Sequence, residues 1–118
     1  MSNAVMQTVT LGLASRDGAR TRLARAFKGE AQGAFLSFET PALLLKVLSG
    51  KRWAILQAMT GAGPLSIREV ARRVERDVKA VHGDVKALLA AGVLDKDGAR
   101  VVFPYESVHV DFRLTTAA

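Results

Sequence analysis

The sequence predicts an α+β fold in two parts, and three observations carry that prediction. Three helical segments, the last two with capping signals, follow one another between residues 52 and 91. Two β-prone stretches come after them, between residues 100 and 114, and a separate strand–helix–strand pattern occupies residues 5–38. Helix, helix, tight turn, helix and β-hairpin in that order is the plan of a winged helix-turn-helix. The chain therefore reads as a winged helix-turn-helix over residues 41–118 with an N-terminal β-α-β extension over residues 1–40.

The extension begins with alternation. Val5, Gln7, Val9, Leu11 and Leu13 fall on one side, and Met6, Thr8, Thr10 and Gly12 on the other, the period of two that a strand requires. Leu23, Ala26 and Phe27 then form a narrow apolar stripe among Arg16, Arg20, Arg22, Arg25 and Lys28. This reads as a basic amphipathic helix over 16–28, stopped by Gly29. Ala34–Phe38 reads as a second strand. Two strands alone are marginal in water, so they need a partner from this chain, another copy or another protein.

Thr40-Pro41 supplies a capping residue and a proline at the first helical position. The segment ALLLKVLS that follows is apolar nearly all round, so burial is expected. After Gly50, the residues Trp53, Ile55, Leu56 and Met59 give a further helix its apolar face, and Gly61-Ala62-Gly63-Pro64 is a loop. Ser66-Ile67-Arg68-Glu69 is a capping box, in which Ser66 and Glu69 satisfy each other's free backbone donors. A short turn at Glu75-Arg76 leads to Asp77, the N-cap of a helix with Val78, Val81, Val85, Leu88 and Leu89 on one face and Gly92 as its stop. A turn at Asp95-Lys96-Asp97-Gly98, a strand at Arg100–Phe103 and a last strand carrying Val108, Val110, Phe112 and Leu114 complete the pattern.

A formal net charge of +6 points toward a polyanion. The excess is uneven: +3 over residues 1–50, +4 over residues 51–94 and −1 over residues 95–118. There is no cysteine, so disulfide and thiolate chemistry are excluded. No apolar run reaches the roughly 20 residues of a membrane span, and no basic segment followed by an apolar core opens the chain, so a cytoplasmic location without membrane contact is expected. No histidine cluster or carboxylate pair stands out, and the loop at Gly61–Pro64 lacks the lysine and hydroxyl residue of a phosphate-binding loop. The chain reads as a non-enzyme without cofactor or metal.

Helix geometry selects the residues that would meet double-stranded DNA. At about 100° per residue, the side of residues 78–91 opposite Val81 and Val85 carries Lys79, Gly83 and Lys86, with His82 flanking. Lys79 and His82, near the start of this helix, are candidates for base edges. Ser66, Arg68, Arg72, Arg73 and Arg76, on the preceding helix and turn, are candidates for phosphates. Arg100 brings the hairpin into the contact, with Arg113 a further possibility. The competing reading of these cations is a solvated face, and His82 has the alternative of pairing with Asp84 or capping locally. Gly83 costs about 1 kcal/mol relative to alanine in a helix, which fits either tolerated drift or room for close approach to DNA.

Arg76-Asp77-Val78-Lys79-Ala80-Val81-His82-Gly83-Asp84-Val85, continuing to Leu88 and Gly92-Val93-Leu94, resembles the recognition-helix pattern of a group of prokaryotic MarR-like winged-helix transcriptional regulators. Lys51-Arg52-Trp53 and Ser66-Ile67-Arg68-Glu69-Val70-Ala71 match it as well. The likeness spans about residues 45–114 and is strongest over 51–94. It implies a sequence-specific DNA-binding regulator that represses its own operon, with some members of the group resembling antitoxins encoded beside a small toxin. Gly83 stands where the pattern has a larger, often charged residue. A homodimer is expected, with residues 5–50 as the contact and the Leu43–Leu48 helix at its core. The alternative is that the basic helix over 16–28 binds a cognate toxin or adds a nucleic-acid contact. The alternative function is a winged-helix protein–protein interaction module without specific DNA binding.

Overall fold

The computed structural model describes residues 8–14, Arg20 and residues 34–111. The elements run β1 (Thr8–Leu13), β2 (Ala34–Phe38), α1 (Pro41–Val47), α2 (Gly50–Met59), α3 (Ile67–Val74), α4 (Val78–Ala90), β3 (Asp95–Asp97), β4 (Arg100–Val102) and β5 (Ser107–Asp111). This is an α+β architecture with four helices and two small sheets among the described residues. Of the basic helix expected over 16–28, only Arg20 is described, helical and exposed. The rest of that helix, the strand positions before Thr8, and Phe112, Arg113 and Leu114 lie outside the described residues. No helix among the described residues is long and apolar enough to cross a membrane.

The chain divides into two units. One holds the described residues up to Leu44 together with Ser107–Asp111, and the other is Leu45–Glu106. In the first unit, β1 is the central strand of a three-stranded sheet in the order β2-β1-β5, with both pairings parallel. Leu11 lies opposite Leu36 on one side and Val110 on the other, and Val9 lies opposite Ala34 and Val108. Val9 and Leu11 are fully buried, as the alternation predicts for one face of a central strand. Gly12 is required by close approach, because a Cβ there would sit 2.9 Å from the Asp111 carbonyl oxygen and 3.0 Å from the Phe35 ring. The hydroxyls of Thr8 and Ser107 are hydrogen-bonded across the ladder at 2.7 Å.

The sheet corrects the expected hairpin. The last strand was expected beside Arg100–Phe103, but β5 pairs with β1 instead, and so supplies the partner that two strands alone lack. Pro104, which has no backbone N–H, separates β4 from β5, and Val108 and Val110 meet Val9 and Leu11 across the ladder. The hairpin forms one step earlier, between β3 and β4. Asp95–Asp97, expected as turn, is a strand, and the turn is Gly98-Ala99, with Gly98 at φ +62°. A two-residue hairpin turn needs that positive φ at its first central position, and glycine supplies it without strain.

Thr40 caps α1, its hydroxyl accepting from the Leu43 amide at 3.2 Å. The helix is less buried than its composition predicts: Leu44 is buried, but Leu43 and Leu45 are 45% and 53% exposed. A seven-residue helix covering one stripe leaves the neighbours of Leu44, about 100° to either side, in solvent.

The core of the second unit is built from Ile55, Leu56 and Met59 of α2, Val70 and Ala71 of α3, and Val81, Val85 and Leu88 of α4. Trp53 departs from the apolar face expected of it and is 36% exposed. Asp77 caps α4 as the sequence indicates, accepting from the amides of Lys79 and Ala80 at 3.0 and 3.3 Å. The chain reaches that cap through Glu75, whose left-handed backbone (φ 55°, ψ 48°) ends α3, a conformation a non-glycine residue adopts at a cost of roughly 1–2 kcal/mol. Leu65 and Val101 exchange two backbone hydrogen bonds of 2.8 Å, which adds a one-residue rung to the β3–β4 hairpin.

Candidate nucleic-acid interface

Because Val81, Val85 and Leu88 are turned into the core without exposure, the other side of α4 faces solvent. Lys79, His82, Gly83 and Lys86 are all exposed there. Gly83 has open space where a side chain would be, with no atom within 4 Å of a built Cβ. Ser66, Arg68, Arg72 and Arg73 are exposed on α3 and its cap, and Arg100 is exposed on β4.

Between α4 and the hairpin lies a groove of about 170 Å³. Its floor is apolar, including Ile67, Val85, Leu89 and Val101, and its ionisable lining is His82, Lys86, Lys96 and Arg100. No carboxylate of the described residues lines it. Three residues selected from sequence are thus gathered at one place, although they come from different elements. Lys96 is the member that the sequence reading missed, because Asp95–Gly98 has the composition of a turn. No sequence signal marked it; the strand register brings it there, with Lys96 opposite the buried Val101.

Arg76 belongs to a different arrangement. Its Nη2 donates to Asp84 Oδ2 at 2.8 Å, while Arg52 Nε donates to Asp84 Oδ1 at 3.0 Å and Arg52 Nη1 to the Lys46 carbonyl at 2.9 Å. Burial alone would push the Asp84 carboxyl up, but the hydrogen bonds from Arg76 and then Arg52 outweigh it and hold the group below its usual value. The Nη1 of Arg76 is buried without a hydrogen-bond partner among the described residues. Arg76 is therefore held inward rather than displayed with the exposed cations. Asp84 is likewise engaged by the two arginines and not by His82, which removes the pairing that the sequence left open.

A second carboxylate organises the α3 surface. Ser66 accepts from the Glu69 amide at 3.1 Å, but the reciprocal half of the capping box does not form. The Glu69 side chain is taken instead by Arg72, through Nε at 2.9 Å and through Nη2, and by Arg73 Nε at 2.9 Å. The hydrogen bonds from Arg72 and Arg73 pull the Glu69 carboxyl down to about 2. Arg68, Lys79, Lys86, Lys96 and Arg100, by contrast, make no ion pair among the described residues.

No curated protein and no solved structure matches the chain. Residues 47–110, more than half of its length, match the HVO_A0114 family, and that span contains the groove, the Asp84 cluster and the Glu69 cluster. The chain belongs to the HVO_A0114 family.

Proposed function

We propose that this protein is a sequence-specific DNA-binding transcriptional regulator whose Leu45–Glu106 unit works as a winged helix-turn-helix of the MarR-like kind. The observation that carries the reading is the groove between α4 and the hairpin, which among the described residues has His82, Lys86, Lys96 and Arg100 as its ionisable lining and no carboxylate. The exposed side of α4 continues it with Lys79 and the open surface at Gly83. A projecting helix of this kind fits the major groove of B-DNA. The Leu65–Val101 rung beside β3 and β4 supports the hairpin as the wing.

In this reading Lys79 and His82 approach base edges, while Ser66, Arg68, Lys86, Lys96 and Arg100 engage phosphates. Gly83 leaves room for the duplex, and Arg76 positions α4 through Asp84. The working form is a homodimer that represses its own operon, with the exposed Leu43 and Leu45 of α1 as part of its contact. The test is binding to duplex from the upstream region of its own gene against random duplex, across a salt series. Selective binding with a steep salt slope is expected. Equal, weak binding to both would favour a protein-interaction module, with a toxin encoded beside it as the first partner to try. The exposed Asp95 and Asp97 on β3 fit that second reading better.

A further inference from the structure

The cations of α3, α4 and the hairpin are of two kinds. Arg68, Lys79, Lys86 and, on β4, Arg100 are exposed and unpaired among the described residues, whereas Arg72 and Arg73 are both held by Glu69. Glu69 occupies the first turn of α3, and the two arginines follow at i+3 and i+4, where helix geometry brings side chains together. Both carboxylate oxygens are used: Oε1 takes Arg72 Nε at 2.9 Å, and Oε2 takes Arg72 Nη2 and Arg73 Nε, the latter at 2.9 Å. The Arg72 side chain is nevertheless 72% exposed, so it meets solvent while paired.

We propose that Glu69 is an internal competitor for phosphate, which occupies Arg72 and Arg73 and so limits sequence-independent binding to duplex. The inference rests on the DNA-binding reading above and assigns a role to a residue outside its contact set. A phosphate that takes the guanidinium edge held by Glu69 must displace that carboxylate, and one that uses the remaining Nη hydrogens of Arg72 or Arg73 meets it as a like charge beside the backbone. Breaking an exposed ion pair costs a factor of up to about five in an equilibrium constant. Random duplex is bound almost entirely through its phosphates, so the penalty acts on it directly.

The test is E69Q in the full chain, since glutamine retains the position a capping box accepts. Affinity for random duplex and its salt dependence are measured beside wild type. The expected result is a gain of about three- to tenfold at low salt. The slope of log K against log salt should steepen by roughly 0.9 for each arginine released. E69Q/R72A/R73A should return the slope to wild type, and E75Q, which removes the same charge at the far end of α3, should leave it unchanged. An unchanged slope in E69Q, or an equal gain in E75Q, overturns the proposal. A promoter duplex run in parallel separates the two ideas: loss of selectivity in wild type defeats the regulator reading, while the random-duplex slopes decide Glu69.

Discussion

Arg76 and Asp84 are joined at 2.8 Å, and the same carboxylate takes Arg52 at 3.0 Å from the other side. One side chain on α4 thereby ties α2 to the turn that follows α3. All three groups are mostly withdrawn from water, with Asp84 17% exposed. Arg76, which the sequence places among the DNA-facing cations, is instead part of a clamp with Arg52 and Asp84 on the helix arrangement.

The clamp makes a mutational prediction. Asp84→Ala leaves two arginines without their counter-charge, and breaking such a pair from one side costs roughly 3 kcal/mol when it is well buried. Arg72→Ala, on the exposed surface, should change stability by about 0.5 kcal/mol or less. Urea unfolding of the two variants checks the contrast, and equal midpoints would show that Asp84 does not clamp the helices.

Acid stability follows from the same groups. Asp84 and Glu69 both have carboxyls held below their ordinary values, so the stability they contribute is present above the unfolded-state values and is lost as pH falls through the folded ones. For Glu69 that window runs from 4.5 down to about 2. Thermal melts across this range should show wild type losing stability more steeply than Asp84→Asn or Glu69→Gln. Parallel curves would contradict the assignment.

Two glycines should respond in opposite ways to alanine. Gly12→Ala drives a methyl toward the Asp111 carbonyl oxygen at 2.9 Å, a backbone atom that cannot swing aside, and overpacking of this kind costs about 1–3 kcal/mol. Gly83→Ala adds a methyl to open space inside a helix and should stabilise by about 0.5–1 kcal/mol. The proposed function adds that Gly83→Ala weakens duplex binding even as it stabilises the fold. A variant that is more stable and binds equally well would mark Gly83 as drift.

The contrast between what was legible in the sequence and what was not is one of range. Thr40, Ser66, Asp77 and Gly92 act on backbone within a few residues, so their caps and stops could be read directly. Alternation showed that Val108 and Val110 share a strand face, but a period of two does not name the partner, and a parallel ladder to β1 joins residues far apart in the chain. The β3 strand was hidden because Asp95-Lys96-Asp97 has turn composition, and Lys96 was lost with it. A helical wheel placed Lys79, His82 and Lys86 correctly on the exposed side, since Val81 and Val85 fix the buried one. It could not show that Arg76 turns inward, because its partner Asp84 lies on the next helix.

In the proposed function the exposed side of α4 and the rim of the hairpin groove meet DNA. The most direct measurement of that contact is an amide NMR titration of the full chain with duplex from its own upstream region. The largest shifts should fall on Lys79, His82, Gly83, Lys86, Lys96 and Arg100, with the resonances of β1 and β5 little changed. Shifts confined to α1 around Leu43 and Leu45, or none at concentrations where random duplex also fails to bind, would contradict it.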